Sequence, residues 1–178
     1  MVQQLAALLN TLDDTQERDA VKALSAWTAS LPTAKRVLTD LDWDNTRLSP
    51  QHNPLITRSM VLVLPARPDH ITVTGAVFDS TNMAGSGSSE VGITLPWQAG
   101  QTARDYLTQV TPFNEADNSV AMVIQPNGEV ASHPIAYWNA THKDIAPGAI
   151  IVLPFTDLPD EADSLNQDLI HLLRNSAL

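Results

Sequence analysis

The sequence contains no cysteine among its 178 residues, which excludes disulfides, zinc-thiolate sites and cysteine nucleophiles. No apolar run is long enough to cross a bilayer, so membrane insertion is not predicted. Basic residues are scarce, with 10 Lys and Arg against 20 Asp and Glu and a formal net charge of −10. Because nucleic-acid binding needs clustered positive charge, we predict no nucleic-acid partner. Residues 1–12 also lack the basic start and small-residue cleavage site of a secretory signal.

The sequence also lacks the patterns of nucleotide, metal and hydrolase sites. Gly85 and Gly87 are not followed by the third glycine and helix of a dinucleotide loop, and the serines beside them do not form a Gly-x-Ser-x-Gly turn. The five histidines show no metal spacing. Residues 40–44 carry alternating aspartates like the start of a calcium loop, but Asn45 and Gln51 stand where glycine and glutamate are needed. We therefore predict no cofactor and no metal.

Residues 71–155 carry the strongest secondary-structure pattern. Residues 149–154 are a short apolar run that follows the turn pair Pro147-Gly148 and ends at Pro154, which is typical of a strand buried on both faces. Residues 71–78, 91–95 and 120–124 are further strand candidates. The turn 126–128 leads into another strand that starts near Val130.

One helix is predicted inside this series of strands, over residues 102–110. Thr102 can cap its first turn, Asp105 is placed as the capping-box partner, and Leu107 lies on its apolar stripe. The order is then two strands, one helix and three strands. One helix across one mixed sheet in this order is a β-grasp pattern, so we predict an α+β fold with Leu107 in the core.

Both ends of the chain are predicted to be helical. Residues 2–12 are predicted to form a helix with one apolar face. A second helix starts at Asp14, with Glu17 as its capping-box partner, and stops at Pro32. The short link between these helices predicts an antiparallel hairpin. At the other end lies an amphipathic helix, whose apolar stripe comprises Leu165, Leu169, Leu172 and Leu173. We expect it to fold back onto its own chain. A homodimer contact is the alternative, and its many acidic residues disfavour a membrane.

The chain repeats part of its own pattern. Residues 60–65 and 149–154 are both apolar strands closed by proline, and each follows a helix, a strand and a polar turn. We therefore divide the chain into a helical hairpin at 1–32, a partial β-grasp module at 33–68, a β-grasp domain at 69–156 and a C-terminal amphipathic helix at 157–178. Residues 34–41 are a strand candidate of the partial module, and residues 79–90 form a polar excursion of the full one.

Three aromatic residues are candidates for stacking on sugar rings, because an aromatic face offers a flat apolar surface. They are Trp97, Tyr137 and Trp138. Tyr137 and Trp138 are adjacent, so on a strand they would point to opposite faces, and at least one is expected in the core.

Several segments resemble a known family. Residues 67–77 and 102–107 resemble the soluble ligand-binding β-grasp (SLBB-like) modules of polysaccharide export proteins. Ala136-Tyr137-Trp138-Asn139 and residues 151–155, together with the closing helix, are similar to the GfcC/YjbG-like capsule and exopolysaccharide biosynthesis family. The resemblance covers most of the chain. It implies two β-grasp domains with a helical hairpin, although the first module here lacks its two opening strands.

The resemblance also implies a function and a site. It suggests a periplasmic accessory protein of capsule or exopolysaccharide assembly or export, whose partners are polysaccharide or export proteins. It further suggests an arginine in a pocket of the first module, which Arg47 matches. Its planar fork could bind an acidic sugar, or it could pair internally with Asp42 or Asp44.

An enzyme acting on the polymer through an Arg47-centred pocket is the alternative to a binding module. Glycan-cleaving enzymes use a pair of acids around a cleft. Only the aspartates of residues 40–44 cluster here, and no partner acid has a recognisable spacing. The sequence therefore favours the binding module, with Arg47, Asp42, Asp44, Trp97 and Trp138 as its candidate residues.

Overall fold

The computed structural model describes residues 1–33, 43–48, 55, 59, 66–78 and 92–176. The helices in these ranges are α1 (Val2–Thr11), α2 (Thr15–Ser30), α3 (Trp43–Leu48), α4 (Ala103–Leu107) and α5 (Leu165–Asn175), with a 3-10 turn at Asp160–Ala162. The strands are β1 (His70–Gly75), β2 (Val77–Phe78), β3 (Ile93–Pro96), β4 (Thr111–Pro112), β5 (Val120–Ile124), β6 (Val130–Pro134) and β7 (Ile150–Leu153).

Five strands form one mixed sheet in the order β3-β1-β7-β5-β6. The two central strands, β1 and β7, run parallel, with Thr72 opposite Ile150, and the other neighbours are antiparallel. When these five strands are numbered along the chain, their order across the sheet is second, first, fifth, third, fourth. This is the β-grasp arrangement, so the predicted α+β class and the order of elements in this part of the chain are confirmed.

The predicted strand at 71–78 is broken after Gly75, the last residue of β1. Gly75 has a φ of +95°, and a Cβ there would lie 2.2 Å from the carbonyl oxygen of Leu153. Only glycine fits this position, because the backbone of β7 comes so close. The chain therefore leaves the large sheet, and β2 pairs with β4 in a separate two-stranded sheet.

Helix α4 begins as predicted but is shorter. Thr102 Oγ1 accepts a hydrogen bond from Asp105 N, and Asp105 Oδ2 accepts one from Thr102 N at 2.8 Å, so the capping box is confirmed. The helix ends at Leu107 because β4 begins at Thr111. Its buried residues are Ala103 and Tyr106. Leu107 is only half-buried against the core, so its predicted place inside the core was wrong.

The N-terminal helices form the predicted hairpin, but Glu17 has another role. Asp14 Oδ1 caps α2 by accepting hydrogen bonds from Gln16 N at 2.6 Å and Glu17 N at 3.3 Å. The Glu17 side chain does not complete a capping box. Its Oε1 accepts from Asn114 N at 2.9 Å, and Glu17 is 4% exposed. A residue read as a local cap therefore fastens the hairpin to the β-grasp domain.

The C-terminal helix folds back onto its own chain, as predicted. Leu165, Leu169 and Leu173 are fully buried in the same core as the sheet. Asn166 also clamps the chain after β7, because its side chain accepts from Phe155 N at 3.0 Å and donates to Phe155 O at 2.9 Å. The α-helix starts at Leu165, later than expected, since a 3-10 turn precedes it.

Part of the predicted architecture lies outside the described residues. This applies to the strands at 34–41 and 60–65, to most of the partial module at 33–68 and to the polar excursion at 79–90. The domain boundaries stay predictions. Helix α3 lies within the range of the predicted partial module, which was not predicted to contain a helix there. In the described ranges, no helix is long and apolar enough to cross a membrane.

We expect Leu169→Ala to destabilise the protein by about 2–5 kcal/mol, because it leaves a cavity in the core beneath α5. The matched control is Gln167→Ala, an exposed position on the same helix, which should change stability by less than about 0.5 kcal/mol. Chemical unfolding measures both. Equal effects from the two variants would contradict the intramolecular docking of α5.

Glu17 should make stability depend on pH. Burial raises the pKa of Glu17 above its ordinary value of 4.5, the hydrogen bond from Asn114 N opposes this, and Glu115 adds to the increase. The folded state therefore binds this proton more tightly than the unfolded state. The charged form costs stability at neutral pH, and the cost disappears as the pH falls toward 4.5.

We accordingly expect Glu17→Gln to raise the melting temperature at pH 7, with a gain over the parent that shrinks as the pH falls. Glutamine keeps an acceptor for Asn114 N. Glu17→Ala is the control, since it removes this acceptor and should lower the melting temperature both at pH 7 and near pH 4.5. The measurement is thermal unfolding of the parent, Glu17→Gln and Glu17→Ala proteins between pH 7 and about pH 4.5. A gain from Glu17→Gln that does not depend on pH would refute the assignment.

Candidate functional site

The chain makes a tight excursion directly after β6, which ends at Pro134. Ile135 N donates to the carbonyl oxygen of Ser119 at 3.0 Å, and Asn139 Nδ2 donates to the same oxygen at 2.9 Å. One carbonyl group thus fastens both ends of the segment. We call residues 135–139 the aromatic turn.

The aromatic turn presents two large side chains to solvent. Tyr137 is 77% exposed and Trp138 is 64% exposed. Their ring centroids are 5.0 Å apart, and the rings meet edge to face at 88°. The expectation that one of them lies in the core was wrong. It assumed a strand, whereas the strand stops at Pro134 and both side chains can then point outward.

A cavity of about 210 Å³ lies at the end of α4, next to this turn. Its apolar wall includes Leu107 and Ile135, and its polar groups are Arg104, Thr108, Asp117 and Asn118. Ile135 is the first residue of the aromatic turn. Asn118 precedes Ser119, to which the turn is fastened. The cavity and the aromatic turn therefore share one supporting segment.

Two carboxylates near this cavity are already bound by the protein. Asp117 Oδ1 accepts from Ser119 N at 2.7 Å and from Val120 N at 3.1 Å. The hydrogen bonds from Thr102 lower the pKa of Asp105, and Arg104 contributes to the same effect. Both groups fix local backbone, which keeps the wall of the cavity in place.

Trp97, another predicted site residue, has partners inside the fold. Its Nε1 donates to the carbonyl oxygen of Ile145 at 2.7 Å, and the Arg67 guanidinium lies 5.7 Å from its ring centroid. The indole thus ties the end of β3 to the chain before β7. These contacts are those of a structural residue.

The remaining candidates lie elsewhere or outside the described residues. Asp44 and Arg47 are exposed on α3, and Asp42 is not among the residues that the structure describes. No described contact joins Asp44 or Arg47 to Trp138. Arg47 stays a prediction as a binding residue.

Sequence reasoning missed Arg104 and Asn118 as members of a site. They are 14 positions apart in the sequence, and only the fold places both at one cavity. No local motif marks either residue. Their position is a long-range property of the fold.

We expect Trp97→Phe to destabilise the protein by about 1–2 kcal/mol, because it removes the hydrogen bond to Ile145 and weakens the contact with Arg67. Trp138→Phe, the matched control, should change the free energy of unfolding by less than about 0.5 kcal/mol. Chemical denaturation followed by circular dichroism measures both. If Trp97→Phe proved as harmless as the control, Trp97 would return as a candidate for ligand binding.

Comparison with known proteins points to one family. Residues 91–177 match the family described as capsule biosynthesis GfcC C-terminal, a range that includes the aromatic turn and the cavity. The chain is also 27% identical over 156 residues to the uncharacterized protein YjbG of Escherichia coli strain K12, with 86% of this chain and 59% of YjbG aligned. The chain thus spans less than two thirds of that relative. Residues 91–177 are thus similar to the GfcC C-terminal capsule biosynthesis family, and most of the chain is similar to YjbG.

Proposed function

We propose that the protein is a periplasmic, non-catalytic accessory module of capsule or exopolysaccharide assembly or export, and that it binds the polysaccharide through the aromatic turn. The observation that carries this proposal is the display of Tyr137 and Trp138 on a fastened turn. Large apolar side chains held in solvent by rigid backbone are characteristic of binding surfaces. The match of residues 91–177 to the capsule biosynthesis family supports the link to capsule biosynthesis.

The geometry of the turn suits a sugar chain. A pyranose ring has an apolar face of C–H groups, which packs on an aromatic ring, and hydroxyl groups at its edge, which need hydrogen bonds. The aromatic turn supplies the rings, and the cavity beside it supplies polar side chains. Because the turn is held at both ends, little ordering is needed on binding.

An enzymatic role has less support from these residues. Hydrolysis of a glycosidic bond generally needs an acid and a second carboxylate across a cleft. Among the described residues that line the cavity, Asp117 is the only carboxylate, and two backbone amides hold its Oδ1. Binding without chemistry is the function that this arrangement favours.

The double variant Tyr137→Ala/Trp138→Ala tests the proposal. Each ring is expected to contribute about 0.5–1.5 kcal/mol, so the loss of both should weaken binding by about 5- to 150-fold. The probe is extracellular polysaccharide purified from cells that express the protein, and affinity electrophoresis measures its binding. The melting temperature should not change, since both side chains are exposed.

Trp43→Ala is the matched control, because Trp43 is 76% exposed and lies on α3 near Arg47. Its binding should equal that of the parent protein. Loss of binding in Trp43→Ala alone would move the site to α3. Normal binding by the double variant, combined with reduced polysaccharide output in cells, would show instead that the aromatic turn contacts a protein of the export machinery.

A further inference from the structure

We propose that the cavity beside the aromatic turn selects an acidic sugar unit, whose carboxylate is held by Arg104; this inference rests on the proposed polysaccharide binding. The cavity lies at the end of α4, where Arg104, Thr108 and Asn118 face its volume of about 210 Å³. Neither the family description nor the relative assigns a ligand to it.

The first argument concerns the charge of Arg104. Its guanidinium forms no ion pair with any described residue. The carboxylate next to it in the sequence, Asp105, accepts hydrogen bonds from Thr102 N at 2.8 Å and Thr102 Oγ1 at 2.7 Å. The positive group at this cavity is thus left with its planar set of donors available. A carboxylate matches that set in shape and charge.

The second argument concerns Asp117, the acidic residue of the same cavity. Its Oδ1 accepts hydrogen bonds from two consecutive backbone amides, Ser119 N and Val120 N. Asp117 Oδ1 is therefore bound to the loop before β5, whereas Arg104 forms no direct ion pair with a described carboxylate and attracts Asp105 only at longer range. Among the described charged groups that line the cavity, Arg104 is therefore the one that can still form a direct pair with an anion.

The third argument is the position of the cavity relative to the aromatic rings. Ile135 lines the cavity, and Tyr137 follows it by two residues. Two residues of extended chain span at most about 7 Å. The backbone that carries the rings therefore lies within the reach of two linked sugar units from the cavity wall. This juxtaposition distinguishes a polymer site from two unrelated surface features.

The experiment compares two forms of one probe. Extracellular polysaccharide from cells that express the protein is used intact and after chemical reduction of its carboxyl groups to alcohols. The intact polymer should bind the full chain at least about tenfold more tightly, because a charge-assisted contact is lost on reduction. Added salt should weaken binding of the intact form and leave the reduced form nearly unchanged.

Arg104→Gln should abolish the difference between the two polymers, and Arg104→Lys should restore part of it. Lys22→Gln is the control, since it removes one positive charge from an exposed site on α2. It should keep the full preference. The melting temperature of the Arg104 variants should match the parent, because Arg104 is exposed.

The outcomes separate this inference from the function on which it rests. Equal binding of both polymers, a polymer without carboxyl groups, or a preference that survives in Arg104→Gln would overturn the acidic-sugar assignment alone. Binding of neither polymer, or binding that does not depend on Tyr137 and Trp138, would overturn the proposed function as well.

Discussion

The strand β7 must be covered on both faces, and most of the fold follows from this requirement. Its four residues, Ile150–Leu153, are all buried. Because successive strand residues point to opposite faces, neither face of the sheet centre can be left to solvent. Helices α4 and α5 pack against the sheet, and the N-terminal hairpin joins the same core. Helices of 5 and 11 residues are too short to be stable alone. Sheet and helices therefore stabilise one another.

This mutual dependence explains why polar contacts gather where the layers meet. Glu17 reaches Asn114 from the hairpin, and the next residue, Glu115, accepts two hydrogen bonds from Thr156 through its carbonyl oxygen, at 2.6 Å from N and 2.7 Å from Oγ1. A buried carboxylate is costly, so the charge of Glu17 lowers stability at neutral pH relative to a neutral acceptor at the same position. The hydrogen bond between Glu17 and Asn114 instead fixes the position of the hairpin. Since Glu17 can satisfy Asn114 N only in one placement of α2, the hairpin is fixed relative to the sheet.

The elements that the sequence predicted well are those whose evidence is local. The apolar run of β7, the turn before Val130 and the capping box of Thr102 depend on neighbouring residues, and all three are found. The errors came from distant contacts. Glu17 has the spacing of a cap, but Asn114, 97 positions away, binds it. Gly75 reads as one residue of a long strand until the backbone of Leu153 approaches it.

The candidate site was harder to predict for the same reason. Trp97 and Trp138 are equally plausible sugar-stacking residues in the sequence, yet one is tied to Ile145 and the other lies in solvent. No sequence pattern marks Arg104 as a binding residue, because its availability depends on whether nearby carboxylates already have other hydrogen-bond partners in the fold. Composition and pattern identify residue types. Only the packed structure shows which of their hydrogen-bonding groups remain available.

The net charge of −10 bears on how such a site would work. An acidic protein repels an acidic polymer at long range, so association gains nothing from general attraction. Binding would depend on short-range contacts with the aromatic rings and with Arg104. Two rings and one small cavity offer modest affinity for a single sugar unit. A polymer repeats that unit, and a unit that dissociates is replaced at high effective concentration by its neighbour. A site of this kind would hold a polysaccharide chain while still allowing it to move past, which is what assembly or export of a growing polymer requires.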